Sequence, residues 1–171
     1  MKNHYTNLVT LIGPIQFESV NGVITNVRKI LEKGEKSCTL MISSGGGMVD
    51  VGNMLVDVLP GLVQNLTTIG TGMVGSMAIP VFLCAPKGNR LITNHTRFFF
   101  HEIGRNYTNT RLGVGEVESD LRDLKALQKW YIDFVAENTR LTTKKISDLM
   151  RDETMLYPAD LLRSGFAKEI I

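Results

Sequence analysis

The stretch Gly70-Thr71-Gly72-Met73-Val74-Gly75-Ser76-Met77-Ala78 joins a β-like run, residues 66–69, to an apolar helical run, residues 77–85. Its only serine, Ser76, therefore lies on a glycine-rich bend between a strand and a helix. Glycine adopts backbone angles and close approaches that other residues avoid, so such a corner exposes the hydroxyl while the following amides point at a bound oxygen. The pattern is typical of a nucleophilic serine, although a glycine-flanked serine is more often only a helix cap.

A second strand-to-helix corner is predicted earlier in the chain. Residues 38–42 have the pattern of a buried strand that runs into Ser43-Ser44-Gly45-Gly46-Gly47, and an apolar helical pattern begins near Met48. In a parallel sheet both corners fall at the carboxyl ends of strands, where ligands bind, and their free amides can converge on one oxyanion. No Gly-x-x-x-x-Gly-Lys-Ser/Thr pattern is present, so a phosphate-binding loop of that kind is not indicated.

Two residues downstream have the chemistry that a nucleophilic serine needs. His101 follows a strand-like aromatic run, residues 98–100, and Asp152 lies in Met150-Arg151-Asp152-Glu153. A histidine can accept the serine proton, and a carboxylate can orient the imidazole. An isolated histidine is more often a core residue, but the combination with Ser76 and Asp152 favours a catalytic role.

These segments together resemble the proteolytic subunit of the Clp protease, within the crotonase-like superfamily. The family's Ser-Pro-Gly-Gly-Ser segment is similar to Ser44-Gly45-Gly46-Gly47-Met48, its Ala-Ser-Met motif to Gly75-Ser76-Met77, and its Ile-His-Gln motif to Phe100-His101-Glu102. The family's Arg-Asp pair and its proline-containing ending are similar to Arg151-Asp152 and residues 157–168. Order and spacing agree over most of the chain, which is far more specific than any single motif.

The resemblance implies a serine endopeptidase that acts on peptides or unfolded proteins without a cofactor or metal. Its catalytic triad would be Ser76, His101 and Asp152. Its oxyanion hole would be the backbone N–H groups of Gly46 and Met77. The implied fold is an α/β fold of the ClpP/crotonase-like kind, with a mostly parallel sheet, covering helices and a projecting handle helix. The implied assembly is a homo-oligomer, as a heptameric ring or a stacked pair of rings, with a Clp-type ATPase as a candidate partner.

The sequence departs from the family's pattern at three places. Gly45 replaces a proline, which loosens the corner at residues 43–47 without removing its amides. Met150 replaces an acidic residue that helps to lock ring against ring, which weakens the expectation of stacked rings. The chain starts almost on its first predicted strand, residues 8–12. The preceding helix and axial loops that meet an ATPase are therefore expected to be missing, and short peptides are expected to be cut without ATP.

Length and composition predict one domain, residues 1–171. The chain carries 19 basic and 17 acidic residues, a formal net charge of +2, and the interspersed charges do not indicate a nucleic-acid partner. Cys38 and Cys84 each lie in an apolar run, which favours buried thiols in a reducing compartment over a disulfide or metal site. The sequence shows no signal-peptide core and no apolar stretch long enough to span a bilayer, so a cytoplasmic, non-membrane location is expected.

Strand and helix signals alternate along the chain, as is typical of a parallel sheet covered by helices. The helix that begins near Met48 is predicted to stop near Pro60-Gly61, a breaker pair. A polar segment, residues 104–115, leads into a long helix, residues 116–138. The resemblance implies that this region is the handle between rings, with an assembly role for Tyr107 to Leu127. Thr142 or Thr143 is predicted to cap the short helix that ends at Asp152.

Other functions stay open at this level. A crotonase-type acyl-CoA enzyme would use the same paired amides to polarise a thioester carbonyl, with carboxylates as acid and base. Glu102 is the only acidic residue directly beside a site motif, which disfavours this alternative. A non-catalytic ring subunit is disfavoured by the complete Ser-His-Asp set, and a membrane-linked Ser-Lys peptidase by the lack of a membrane-spanning stretch.

Overall fold

The computed structural model describes residues 4–107 and 111–171 as a mixed α/β fold around one hydrophobic core. Within these residues the strands of the sheet are β1 (Leu8–Ile12), β2 (Ser37–Ser44), β3 (Asn65–Gly75), β4 (Arg90–Ile92), β5 (Arg97–Phe99), β6 (Met155–Leu156) and β7 (Glu169–Ile170). The α-helices are α1 (Phe17–Glu32), α2 (Val49–Leu62), α3 (Ala78–Leu83), α4 (Val114–Asn138), α5 (Thr143–Arg151) and α6 (Pro158–Arg163).

The predicted mostly parallel sheet is confirmed. Its main path has the order β1-β2-β3-β4-β7, and every neighbouring pair on that path is parallel. The strand β5 extends the sheet alongside the second half of β3, and β6 pairs with β5 in the antiparallel sense. Parallel neighbours bring their carboxyl ends to one edge of the sheet, which is where both glycine corners lie.

The strand that leads to Ser76 is longer than its sequence pattern predicts. Residues 70–75 were expected to form a bend, but β3 continues through them to Gly75. The cause is pairing on both sides, because Val74 is opposite Ser44 of β2 and Gly75 is opposite Phe99 of β5. The change of direction is therefore confined to Ser76 and Met77, immediately before α3.

Two helix boundaries differ from the predictions, and the structure shows which of two threonines caps α5. Pro60 does not end α2, which runs to Leu62, because a proline this near the end of a helix removes only one of the last hydrogen bonds. The helix α4 begins at Val114, two residues early, where the Glu116 carboxylate accepts from the Gly113 N–H at 2.8 Å. Thr142 caps α5 by accepting from the Lys145 N–H at 3.2 Å.

The ends of α3 and α4 are fastened to the sheet by one buried side chain. Arg90 of β4 is 2% exposed, and its guanidinium donates to the carbonyl oxygens of Leu83 at 2.6 Å, Ala85 at 2.7 Å and Asn138 at 2.8 Å. Burial lowers the pKa of Arg90 to about 10, so the group stays protonated near neutral pH. Its position matters for the site, because α3 and α4 both contact the segment around Ser76.

The two cysteines are free thiols. Cys38 is buried, as predicted, whereas Cys84 is only partly buried. Burial raises the pKa of Cys38 to about 11 and that of Cys84 to about 12, so both thiols stay protonated and unreactive near neutral pH.

Candidate active site

Ser76 occupies a strained corner between β3 and α3. Its φ is +50°, in the left-handed region that residues other than glycine rarely adopt. The Ser76 N–H donates to the Phe99 carbonyl at 3.0 Å, and the Ser76 carbonyl accepts from the Ile79 N–H at 3.0 Å and the Tyr131 hydroxyl at 3.4 Å. These bonds hold the corner on both sides, and such a turn projects a serine hydroxyl as in nucleophile elbows.

The glycine corner that follows β2 lies directly against this serine. A Cβ atom added at Gly46 would lie 2.6 Å from the Ser76 Cβ, 2.8 Å from the Gly75 carbonyl oxygen and 3.0 Å from the Met77 nitrogen. The φ of Gly46 is +100°, which also favours glycine. The structure thus brings together the two corners that the sequence placed at neighbouring strand ends.

The backbone amides of this corner are not equally free. The Gly46 N–H donates to the Ser44 Oγ at 3.1 Å, and the Gly46 carbonyl accepts from the Ile15 N–H at 2.9 Å. In the described part of the chain, the N–H groups of Gly47 and Met77 have no hydrogen-bond acceptor. Gly46 was the amide expected from the sequence to bind an oxyanion. Three consecutive glycines carry no sequence signal that tells which of their amides is left unpaired in the fold.

The imidazole of His101 lies in the loop directly after β5. Its Nδ1 is 2.7 Å from the Glu102 carbonyl oxygen, and its ring stacks on Phe99 with 5.6 Å between the ring centroids. A carbonyl oxygen can only accept, so Nδ1 carries the proton in the neutral ring and Nε2 keeps its lone pair. This tautomer is the one that a general base acting through Nε2 requires.

Asp152 ends α5 and is held by its neighbour in the chain. Its carboxylate accepts from Arg151 Nε at 3.0 Å and Nη2 at 3.3 Å, and Arg151 also donates to Asp148 at 2.9 Å. These hydrogen bonds raise the pKa of the Arg151 guanidinium. The Asp152 side chain is 58% exposed, so it lies at the surface and not in a closed pocket.

The three predicted catalytic residues follow or precede paired strands. His101 comes two residues after Phe99, which is opposite Gly75, and Asp152 precedes β6, whose Met155 is opposite Phe99. Within residues 4–107 and 111–171, however, no hydrogen bond joins Ser76 to His101 or His101 to Asp152. The backbone therefore brings the three residues to one edge of the sheet, and their side chains are not linked as a triad.

The long helix α4 contacts both halves of this site. Tyr131 reaches the Ser76 carbonyl, and Gln128 Oε1 accepts from the Ile103 N–H at 3.3 Å, two residues after His101. Burial raises the pKa of Tyr131, so its hydroxyl stays protonated and able to donate. A mostly apolar cavity of about 380 Å³ lies beside this loop, and its lining is Ile103, Leu121, Leu124, Lys125, Gln128, Lys129 and Ile132.

The exposed end of α4 and the segment before it are the predicted handle. Apolar side chains at Val114, Val117 and Leu121 are 76%, 49% and 50% exposed. Arg105 and Tyr107 both hydrogen-bond to Asp120 of α4. Residues 108–110, which belong to the predicted assembly segment, lie outside the described residues.

The described ranges contain no group of three or more His, Cys, Asp or Glu side chains placed to hold a metal ion. None of the helices in those ranges is long and apolar enough to cross a membrane.

The family model described as Clp protease matches residues 4–171. The ATP-dependent Clp protease proteolytic subunit of Paracoccus denitrificans is 25% identical over 146 residues, which are 85% of this chain and 64% of that protein. The chain therefore spans slightly less than two thirds of that relative. A proteolytic subunit from Rhizobium etli is 26% identical over 84% of this chain and 73% of its own length.

A solved structure confirms the fold class. A ClpP1 point mutant from Listeria monocytogenes superposes with a TM-score of 0.84, is 25% identical, and is matched over 98% of this chain and 92% of that chain. The resemblance drawn from the glycine corners and the serine, histidine and aspartate motifs is thereby confirmed at the level of the family.

Proposed function

The chain belongs to the Clp protease family, and we propose that it is a serine endopeptidase that cleaves peptides or unfolded proteins. The observation that carries the proposal is the left-handed corner at Ser76, φ +50°, with the Gly46 backbone packed directly against it. A corner of this kind combines an exposed hydroxyl with unpaired amides, which is what an acyl-transfer site needs. The catalytic residues are Ser76, His101 and Asp152, acting in one domain.

The proposed reaction proceeds through an acyl-enzyme. The Ser76 Oγ attacks the peptide carbonyl carbon while His101 Nε2 takes the hydroxyl proton, and the imidazolium then gives that proton to the leaving amine. Water repeats the sequence on the ester and returns the free serine. The N–H groups of Met77 and Gly47 stabilise the negative oxygen in both halves, and Gly47 replaces Gly46 in this role because the Gly46 N–H is already bonded to Ser44.

The working triad requires one exchange of partners at His101. Its Nδ1 faces the Glu102 carbonyl, while the Asp152 carboxylate is held by Arg151. A carboxylate on Nδ1 stabilises the imidazolium that forms during catalysis, which a neutral carbonyl does less well. We therefore propose that Asp152 replaces the Glu102 carbonyl as the partner of His101 in the active arrangement.

Covalent labelling of the wild-type protein tests the proposed function. A fluorophosphonate reacts only with an activated serine, so intact-mass measurement is expected to show one adduct per chain and peptide mapping is expected to place it on Ser76. Heat-denatured protein is the control and is expected to stay unlabelled. An unlabelled native protein, or an adduct on another serine, would refute the assignment and would leave the acyl-CoA enzyme or the non-catalytic subunit as the remaining alternatives.

We further propose that the chain forms a homo-oligomer, as a heptameric ring or a stacked pair of rings. The exposed apolar side chains at Val114, Val117 and Leu121 on one end of α4 support this, because water-exposed apolar clusters are typical of interaction surfaces. A Clp-type ATPase is a candidate partner, since the Paracoccus denitrificans relative is named ATP-dependent. The protonated thiols are compatible with the cytoplasmic location that we propose.

Light scattering tests the assembly. Size-exclusion chromatography with multi-angle light scattering is expected to give a mass several times that of the 19.0 kDa chain. Leu121→Glu is expected to lower that mass, because a charge would replace exposed apolar surface, whereas Ser119→Glu on the same helix is expected to leave it unchanged. A wild-type monomer at every concentration would contradict the proposal.

A further inference from the structure

We propose that Ser44 is a positioning residue of the oxyanion hole, whose hydroxyl holds the Gly45–Gly46 peptide and thereby keeps the next amide, the Gly47 N–H, available to the substrate. The inference rests on the proposed peptidase function and deepens it. The observation that carries it is the 3.1 Å hydrogen bond from the Gly46 N–H to the Ser44 Oγ, made by a serine that is 2% exposed.

The glycine corner needs such a restraint because it has no side chains of its own. Gly45, Gly46 and Gly47 are consecutive, and Gly46 and Gly47 have φ values of +100° and +154°. Fixing the backbone of one residue costs about 1–2 kcal/mol in conformational entropy, and glycine loses the most. A segment of three glycines therefore leaves its assigned conformation easily unless hydrogen bonds hold it.

Two separate restraints hold this corner. On one side Ile15 pairs with it, since the Ile15 N–H donates to the Gly46 carbonyl and the Ile15 carbonyl accepts from the Met48 N–H, each at 2.9 Å. On the other side the Ser44 hydroxyl accepts from the Gly46 N–H. A serine whose hydroxyl accepts from the N–H two residues later forms a local turn. Here the bond fixes the Gly45–Gly46 peptide plane, which directly precedes the peptide that carries the Gly47 N–H.

Ser44 is itself held in the sheet next to the nucleophile strand. It is the last residue of β2, and the pairing of β2 with β3 shifts register between Ile42 and Ser44, so that Ser44 is opposite Val74. Val74 lies two residues before Ser76 on β3. The residue whose hydroxyl holds the glycine corner is therefore fixed, through its own backbone pairing, to the strand that leads to the nucleophile. A link of this kind keeps the two corners in one relative position.

The same hydrogen bond selects which amide is free. While the Ser44 hydroxyl accepts from Gly46, that N–H is not available to a substrate oxygen, and the Gly47 N–H is. Without the hydroxyl, the glycine loop is more flexible, and the Gly46 and Gly47 N–H groups compete for the oxyanion. The transition state is then stabilised less well, because an oxyanion donor acts only when it is already in place as charge develops.

Peptidase kinetics of Ser44→Ala test the inference. The kcat is expected to fall about tenfold, which is a part of the about 10²–10³-fold that complete loss of an oxyanion donor costs. The KM is expected to change by less than about twofold, because the ground-state carbonyl makes weaker use of the hole than the transition state. The rate of labelling by a fluorophosphonate is expected to fall in parallel, while the final stoichiometry at Ser76 is unchanged.

Two further variants separate the hydroxyl from other effects of substitution. Ser44→Thr retains the hydroxyl and is expected to recover most of the wild-type kcat. Ser43→Ala removes the neighbouring hydroxyl on the same strand and is expected to behave as wild type. Thermal unfolding of each variant shows that it is folded under assay conditions. If Ser44→Ala does not fold, Ser44→Thr decides: wild-type kcat supports the role of the hydroxyl, and a folded but slow Ser44→Thr variant overturns it.

The outcomes also distinguish this inference from the proposed function. An active, labelled wild type together with a folded Ser44→Ala variant of unchanged or higher kcat overturns the inference alone. A tenfold lower kcat that Ser43→Ala reproduces also overturns it, since the effect would then not be specific to the Gly46 hydrogen bond. A wild type that neither cleaves peptides nor reacts at Ser76 refutes the proposed function, and the inference falls with it.

Discussion

Ser76→Ala is expected to abolish peptide hydrolysis, with kcat lowered by about 10⁴-fold or more. The reason is that no covalent acyl-enzyme can form without Oγ, and the oxyanion hole and substrate binding alone leave only weak residual catalysis. Alanine has the same Cβ as serine, so the strain of the left-handed corner is not increased and the fold is expected to persist. A fluorogenic peptide assay, with circular dichroism on the same sample, measures both.

The controls for this experiment are another serine and the proposed base. Ser119→Ala, at an exposed position on α4, is expected to retain wild-type activity. His101→Ala is expected to lose activity to a similar extent as Ser76→Ala, because serine and histidine act as a unit. Wild-type kcat in Ser76→Ala would show that the nucleophile lies elsewhere in the chain.

The second large effect is expected at Gly46→Ala. The new Cβ would lie 2.6 Å from the Ser76 Cβ and 2.8 Å from the Gly75 carbonyl oxygen, which is closer than van der Waals contact allows, and the residue has φ +100°. Overpacking and backbone strain each cost about 1–3 kcal/mol, so the free energy of unfolding is expected to fall by about 2–6 kcal/mol. The two corners must separate to relieve the overlap, so kcat is expected to fall at least about a hundredfold. Urea unfolding and peptide hydrolysis measure the two effects.

Gly45→Ala is the matched control, one residue earlier in the same run of glycines. A Cβ at Gly45 would meet only the Met73 Cε, at an ordinary contact distance of 3.5 Å, and Gly45 is not among the glycines of positive φ. Its stability and kcat are therefore expected to stay close to wild type. A Gly46→Ala variant with wild-type stability and activity would contradict the close packing of the two corners.

Much of the fold follows from local sequence pattern. The strand predicted at residues 8–12 is β1, the strand predicted at residues 38–42 forms most of β2, and the alternation of strands and helices gives the parallel sheet. These elements were predictable because apolar periodicity and breaker residues act within a few positions along the chain. The family was predictable for a related reason, since several short motifs agree in order and spacing.

Boundaries that depend on partners from distant parts of the chain were not predictable in this way. Residues 70–75 look like a bend by composition, and they are strand because β2 and β5 supply hydrogen bonds on both sides. Pro60 looks like a terminator, and α2 continues past it to Leu62. Local propensity is a weak prior, and tertiary pairing overrides it.

The sequence predicts which residues are candidates for catalysis, and it does not predict their hydrogen-bond partners in the structure. The sequence shows the order of Ser76, His101 and Asp152 and predicts that each lies at the end of a strand or helix. Whether the Nδ1 of His101 faces a carboxylate or the Glu102 carbonyl depends on side-chain rotation, which no motif records. The same holds for Asp152, whose carboxylate is held by Arg151.

The glycine corner shows most clearly which features the sequence determines and which depend on the tertiary structure. Sequence alone specifies that residues 45–47 lack side chains and follow a strand, so that their backbone is able to approach Ser76 closely. Only the folded structure decides which amide remains unpaired, because that depends on the Ser44 hydroxyl taking the Gly46 N–H and on Ile15, from before α1, pairing with the Gly46 carbonyl. A residue type limits what the backbone is able to do, and contacts between residues that are far apart in the chain select one of those conformations.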